Sequence, residues 1–387
     1  MSVVPSGDVI NLQLGWPSPR LFAGSSLLQG ATEVLTSEAQ TAKALIYGPH
    51  IGHTPLRESI AQWLSKIYNV TTSKDRICIT NGASANLSNI LQKFTDPIYT
   101  RKIFMVEPTY FLACPIFEDN GFRGKLEGVP ESAEGIDIEF LRNTLRMAEA
   151  AAMAEQNKSP KLKSGKSYVK VYKYVIYVVP TFANPSGKTM DLESRKKLVG
   201  LAREFDALVV SDDVGSSSSG GAPSHLTSTF VDKMLRNHHL QAHIERVLIP
   251  VYRKRYHALM RCMMEVLLPL GVVIESNAPT GVAGGFFTYI RLPEDLPAAK
   301  IVATIAWRKK HLRVAFGHMF TVSGDPGSLI RGEQAQGFTK CLRLCWAWHE
   351  EAEIKAGVLR LADVISETRD MSRRGLGFED YMTIGIR

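Results

Sequence analysis

Three short runs of almost wholly apolar residues, at 103–106, 175–179 and 207–210, each end in a polar turn, and segments with apolar residues at helical spacing lie between them. Strands without polar alternation expect cover on both faces, which is the pattern of a parallel sheet with crossover helices packed on either side. A fourth β-rich run, 77–80, precedes them. Beyond Gly271 the texture changes to Gly-rich alternating runs, 284–291 and 342–348, which predict a smaller, partly exposed antiparallel sheet in a second domain starting near residue 245. The predicted fold class is α/β, a mainly parallel large domain with a smaller α+β domain.

The helices have legible starts and faces. Thr54 as cap and Pro55 as first helical residue open a segment that places Leu56, Ile60, Trp63, Leu64 and Ile67 on one side. Leu192, Leu198, Val199, Ala202 and Phe205 predict a second buried face, with Glu193 and Lys197 paired outside. A third comprises Ile354, Val358, Leu361 and Ile365, and the polar stretch 368–387 reads as a loosely held tail.

Composition excludes several classes. With 387 residues, 45% hydrophobic and 22% charged, the chain can bury a large core and is neither disordered nor collagen-like. The most apolar stretch, 263–274, is interrupted by Glu265 and Pro269, so no membrane partner is expected. The absence of a basic, then apolar leader points to a cytoplasmic location. Five cysteines without CxxC spacing read as structural thiols. Net charge is +8, densest at Lys161, Lys163, Lys166, Lys170 and Lys173 beside Tyr168, Tyr172 and Tyr174. A solvated loop leading into a strand accounts for this cluster better than an RNA surface, and no nucleic-acid partner is expected.

Four places carry candidate chemistry. The run 77–80 is followed by Asn81-Gly-Ala-Ser84 and then Leu87, Ile90, Leu91 and Phe94 at helical spacing. A glycine turn opening a helix aims free N–H groups at one point and forms an anion cradle, although a plain turn capped by Ser84 has the same spacing. The second run ends in Pro180-Thr-Phe-Ala-Asn184-Pro-Ser-Gly187, at a strand's carboxyl end, where open α/β sheets place ligands; an ordinary Asn-Pro turn is the alternative. The third ends in Asp212-Asp213, acids that need a cation or a functional reason at such a position; Mg²⁺ lacks any accompanying phosphate motif. Arg343, among apolar neighbours in Cys341-Leu-Arg-Leu-Cys-Trp-Ala-Trp348, reads as a grip on a carboxylate or phosphate, with a structural ion pair as the competing account. His239 and His243 are spaced i,i+4 but lack a zincin's Glu and any third ligand, so no metal is expected.

Taken in order, Leu14-Gly-Trp-Pro17, Tyr47-Gly-Pro-His-Ile-Gly52, Leu56-Arg57, Asn81-Gly-Ala-Ser84, Glu107-Pro-Thr-Tyr110 and Asn184-Pro-Ser-Gly187 resemble the signatures of the class I/II aminotransferases, fold type I enzymes that use pyridoxal 5′-phosphate (PLP). The resemblance spans about residues 11–362. It implies a large cofactor domain at 46–245, a small domain of 1–45 plus 246–367, amino-acid and 2-oxo-acid substrates, and a homodimer. It implies further that Ala83 and Ser84 hold the cofactor phosphate and that Tyr110 stacks on its ring. Asn184 meets the ring's 3-hydroxyl, Asp212 pairs with the ring nitrogen and Tyr47 reaches the partner subunit's cofactor. Arg343 clamps the substrate carboxylate, with Gly15 beside it. Aromatic amino acids and 2-aminoadipate are the first substrates implied, and a C–S or C–C lyase shares the same electron sink.

One segment departs from the pattern. The family has a tyrosine three residues after the acid and, several dozen residues on, a Ser-x-Ser-Lys-like stretch bearing the Schiff-base lysine. Here position 215 is Gly, and Val214 runs into Gly215-Ser-Ser-Ser-Ser-Gly-Gly-Ala-Pro-Ser-His225, whose end resembles the family's residues just beyond the lysine stretch. Lys233 lies in a later helix, and Lys188 stands where the family has no catalytic lysine. The catalytic lysine is thus expected to be absent with its strands, either through a skipped exon, wrong gene model or internal deletion of an ordinary enzyme, or because 215–221 is the linker of a noncatalytic PLP or amino-acid binding homologue.

Overall fold

The computed structural model describes residues 9–155, 158–163, 167–213, 224–275 and 284–381. The chain divides into two compact units, one of Met1–Pro17, Ile90–Asp213 and Lys254–Arg387, the other of Ser18–Asn89 and Val214–Arg253. These lines differ from the boundaries implied at 45/46 and 245/246.

All eleven strands found among the described residues belong to the first unit. They are β1 (Ile10–Asn11), β2 (Lys102–Glu107), β3 (Leu126–Ser132), β4 (Gly135–Ile136), β5 (Tyr174–Val178), β6 (Ala207–Ser211), β7 (Val273–Ile274), β8 (Phe287–Arg291), β9 (Leu312–Arg313), β10 (Ala315–Phe316) and β11 (Cys341–Cys345). The sheet β4-β3-β2-β5-β6 is parallel except for β4 at its edge. A second sheet, β10-β11-β8-β7, is antiparallel, and β1 pairs with β9.

Every residue of β5 is buried. Tyr174, Ile176 and Val178 on one face cluster with Leu141 and Leu145 of the helix Ile138–Ala154 and with Leu198 and Leu201 of the helix Leu192–Glu204. In β6, by contrast, Leu208, Val209 and Val210 are only half-buried, although their apolarity predicts cover on both faces. Among the described residues β6 has a neighbour on the β5 side alone. β11, expected to be partly exposed, is wholly buried.

Side-chain details correct several expectations. The helix Leu192–Glu204 is capped by Asp191, whose carboxylate accepts the Ser194 N–H at 2.6 Å. Ser194, Leu198, Leu201 and Ala202 form its buried stripe, so Leu192 and Val199 face solvent, and Glu193 pairs with Lys196 rather than Lys197. The helix Glu351–Arg373 buries Ile354, Val358, Leu361 and Ile365 as predicted. It continues past 368, where Thr368 is fully buried and donates to the Val364 carbonyl, so the stretch 368–373 is helix rather than tail.

Among its described residues the lysine-rich stretch is a largely exposed loop leading into β5, as expected, with several contacts back to its own fold. The Asp96 carboxylate accepts backbone N–H groups from Lys161, Leu162 and Lys163, and Lys163 Nζ donates at 2.5 Å to the Gln92 carbonyl near the end of the helix Ala83–Phe94. Lys170 pairs with Asp206 and Lys173 with Glu149. Lys166 lies outside the described residues.

The second unit is helical, built on Gly24–Leu35, Glu38–Leu45, Thr54–Tyr68 and His225–Arg236. His53, not Thr54, occupies the cap position of the third of these. Residues 77–80 do not form a strand, because the unit supplies none to pair with among its described residues. Their backbone is tied instead through Arg57, whose Nε donates to the Ile77 carbonyl at 2.7 Å, and through the Ile79 N–H on the Ile51 carbonyl.

The two faces of the helix Leu192–Glu204 make a direct test of this packing. Leu201→Ala is expected to cost about 2–5 kcal/mol of unfolding free energy in urea titrations, whereas Val199→Ala should stay within about 0.5 kcal/mol. Equal effects would contradict the assigned face.

Candidate active site

The carboxyl ends of β2, β5 and β6 come out side by side, the usual ligand edge of a parallel sheet. β2 leads to Tyr110, β5 into the turn holding Asn184, and β6 into Asp212. Register decides which side chains meet. Tyr177 is paired with Val210 and Val178 with Ser211, and the Asp212 N–H donates to the Val178 carbonyl at 2.9 Å. Asp212 therefore lies two residues beyond Tyr177's partner, on the same face, and the Tyr177 hydroxyl donates to Asp212 Oδ2 at 2.7 Å. Burial raises the Tyr110 phenol above its ordinary value; the Asp212 carboxylate adds to the rise and the Arg343 cation opposes it, so all three groups share one field. Asp213 turns aside and accepts from Ser211 Oγ at 2.8 Å.

Arg343 stands in the middle of β11 and is almost wholly buried. Its Nη1 donates to Asn184 Oδ1 and its Nη2 to the Gln13 carbonyl, both at 2.7 Å. The guanidinium lies 4.0 Å from the Phe287 ring centroid and 5.2 Å from that of Phe320. No carboxylate of the described residues pairs with it, so the structural ion pair is not what the fold contains, and the buried Nε has no hydrogen-bond partner. Burial pushes its pKa down to about 10, which leaves the group cationic at neutral pH. Gly15 packs against the same aromatic: a Cβ there would sit 2.6 Å from Phe287 Cζ.

A cleft at this edge is lined by Tyr110, Tyr177, Asn184, Glu131, Lys188 and Met190, among others. Lys188 Nζ is held 3.2 Å from Glu131 Oε2 and 3.3 Å from the Ser132 carbonyl, and Ser186 Oγ donates to Glu131 Oε1 at 2.7 Å. Burial raises the Glu131 carboxyl, with Lys188 and Ser186 acting against the rise.

The remaining expected site residues belong to the second unit. Ala83 and Ser84 are the first two residues of the helix Ala83–Phe94, after Gly82 at φ +94°, so Ser84 is inside the first turn rather than its cap. First-turn N–H groups have no partner within a helix, which suits an anion. Tyr47 is fully exposed. In the adjoining segment, a Cβ on Gly48 would meet the His225 ring at 2.8 Å, and Gly52 adopts φ +99° against Ile79, so both glycines are required by packing. His243, one half of the i,i+4 pair, hydrogen-bonds the Leu21 carbonyl at 2.8 Å through Nε2.

Sequence reasoning did not find Tyr177, Phe287 or the Gln13 carbonyl. Tyr177 offered one signal: it is a polar-tipped residue facing a ligand edge within an otherwise aliphatic stretch of strand. Some signature residues prove to be scaffold. Glu107 forms a buried ion pair with Arg331, which also binds Asp325 at 3.0 Å, and Arg57 braces the carbonyls of Lys74 and Ile77.

The model of the family "Aminotransferase class I and II" matches residues 8–247. An uncharacterized protein of Saccharomyces cerevisiae, YER152C, is 30% identical over 441 residues, covering 90% of this chain and 95% of that protein. Aromatic-amino-acid aminotransferase 1 of Thermococcus litoralis is 28% identical over 422 residues, covering 95% and 90%. Both alignments run longer than the 387 residues of this chain, so each relative carries residues with no counterpart here. The crystal structure of a multiple substrate aminotransferase from Thermococcus profundus superposes with a TM-score of 0.72 at 25% identity, covering 94% of this chain and 93% of that one. The chain belongs to the class I and II aminotransferase family, whose cofactor is pyridoxal 5′-phosphate.

Proposed function

We propose that the first unit holds PLP and the α-carboxylate of an amino acid or 2-oxo acid, and that this chain has lost the lysine that completes turnover. The observation that carries the binding half is Arg343, a buried cation that no carboxylate of the described residues meets and whose Nε is unsatisfied. An uncompensated charge costs several kcal/mol in an interior, and a ligand carboxylate in bidentate contact relieves it.

The donor set fits the cofactor. Asp212 offers a carboxylate for a ring N–H, Tyr110 an aromatic face, and Asn184 an amide within reach of Arg343. When bound, PLP supplies an electron sink for charge developing at the substrate's α-carbon. Around it, Arg343 fixes the carboxylate, Asn184 orients that guanidinium, and Asp212 keeps a proton on the ring nitrogen. What this set lacks is a base for the proton on the α-carbon. Lys188, the lysine on the cleft wall, is tied to Glu131 and Ser132.

Three observations support the loss of a segment after residue 214. No Ser-x-Ser-Lys-like stretch follows Asp212 in the sequence, the alignments to two relatives run longer than this chain, and among the described residues β6 has a neighbour on one side alone. Residues 77–80, without a strand partner among the described residues, are consistent with the same loss. The proposed large domain at 46–245 is then a truncated one. A homodimer, with Tyr47 reaching the partner's cofactor, belongs to the same reading, as does a cytoplasmic location. No helix of the described residues is long and apolar enough to cross a membrane. Aromatic amino acids are the proposed side-chain class, in keeping with the name of the Thermococcus litoralis relative; 2-aminoadipate is the comparison substrate.

Binding of phenylpyruvate followed by tryptophan fluorescence tests the Arg343 assignment. Affinity should be flat from pH 7 to 9 and fall about tenfold per pH unit above about 10, because the guanidinium loses its charge as pH rises through that value. Arg343→Gln should weaken binding at least about tenfold at neutral pH. Unchanged affinity in that variant would remove the assignment. For the catalytic half, a chain with the family's lysine segment restored after Val214 should turn over only when a 2-oxo-acid acceptor is present, and should melt at a higher temperature. The present chain should be slower by about 10²- to 10⁴-fold or more. Turnover without acceptor would favour a lyase.

A further inference from the structure

We propose that Tyr177 is a positioning residue: its hydroxyl holds the Asp212 carboxylate in the orientation that pairs with the cofactor's ring nitrogen. The inference rests on the proposed cofactor site and adds to it a residue that touches neither cofactor phosphate nor substrate.

Strand register sets the geometry. Parallel pairing of β5 with β6 puts Tyr177 opposite Val210, so Asp212 is the diagonal neighbour on the same face, just beyond the end of β6. A carboxylate in that position has left its strand, and two of its contacts bear directly on its orientation. The Asp212 N–H donates to the Val178 carbonyl at 2.9 Å, which fixes the backbone, and the Tyr177 hydroxyl donates to Oδ2 at 2.7 Å, which fixes one oxygen. The phenol ring is itself packed, buried near the carboxyl end of β5 with Phe117 edge-on at 5.7 Å between centroids. Burial first, then the Asp212 charge, hold the Tyr177 phenol well above its ordinary range, so it remains a donor throughout the pH range of the protein. A donor that never loses its proton engages Oδ2 and favours the charged form of the carboxylate that is proposed to meet the ring N–H. Tyr110 and Tyr177 both line the cleft, so the tether lies at the wall where the ring is proposed to sit.

The test compares two ligands that differ at the ring nitrogen alone, pyridoxamine 5′-phosphate and its 1-deaza analogue, in which carbon replaces that nitrogen. Neither requires a lysine. Dissociation constants are measured by equilibrium dialysis on the chain as it stands. Tyr177→Phe is expected to weaken pyridoxamine 5′-phosphate about 5- to 10-fold while changing the analogue less than about twofold, because the hydroxyl acts through Asp212 on the nitrogen. In an Asp212→Asn background the same substitution should have no further effect on either ligand. Equal weakening of both ligands by Tyr177→Phe would mean that the tyrosine only shapes the wall, and no weakening would mean that it does nothing; either overturns the inference. Should the Phe variant lose its fold, Asp212→Asn alone carries the test, and an undiminished preference for pyridoxamine 5′-phosphate over the analogue overturns it. If the unaltered chain binds neither ligand, the cofactor reading of the site fails first and the inference with it; if it binds and only the comparison fails, the inference alone falls.

Discussion

The parallel pairing of β5 with β2 on one side and β6 on the other is the constraint on which the site depends. It brings three strand ends to one edge, and its register alone decides that Tyr177 and Asp212 share a face. The second sheet then contributes one group, Arg343, carried by a strand buried over its whole length. Because β11 is clamped between β10 and β8, the guanidinium has little freedom, and its two Nη atoms are fixed by Asn184 and Gln13. The site is therefore assembled from side chains on rigid elements, with its polar groups oriented before any ligand arrives.

That preorganisation works against stability. A buried arginine that no acid of the described residues meets and a carboxylate at a strand end are both unfavourable in an interior, and neither helps the sheet to fold. The aromatic pair Phe287 and Phe320 offsets part of the first term by stacking on the cation. Tyr177 offsets part of the second. The half-covered β6 adds a different weakness, since among the described residues three apolar side chains and one strand edge lack the neighbour that a central parallel strand would have. These features suit a fold shaped for a ligand, with the half-covered strand beside the place where that ligand is proposed to bind.

Much of this was legible in the sequence, for a physical reason: burial on both faces leaves an unbroken apolar run, and β2, β5 and β6 coincide closely with such runs. Asp212 and Arg343 were legible because a charge in such a run demands a partner. What could not be read there depends on pairing across distance. Residues 77–80 have strand composition, yet a strand exists only with a neighbour, and the second unit has none among its described residues. Tyr177 looked like core because its hydroxyl's partner lies 35 residues away, and only the β5–β6 register reveals it. The lysine-rich stretch is an exposed loop leading into β5 as its composition indicates, but its acceptors, the carboxylates of Asp206 and Glu149 and the Gln92 carbonyl, come from distant segments and could not be read locally.

The central claim is that this chain keeps a PLP site while lacking the lysine that would bind the cofactor covalently. Native mass spectrometry of the chain loaded with PLP, before and after borohydride reduction and denaturation, tests it most directly. The account predicts one equivalent of cofactor on the native chain and none retained by the denatured, reduced chain beyond scattered substoichiometric labelling. A stoichiometric reduced adduct on one lysine, prevented by prior addition of pyridoxamine 5′-phosphate, would contradict it.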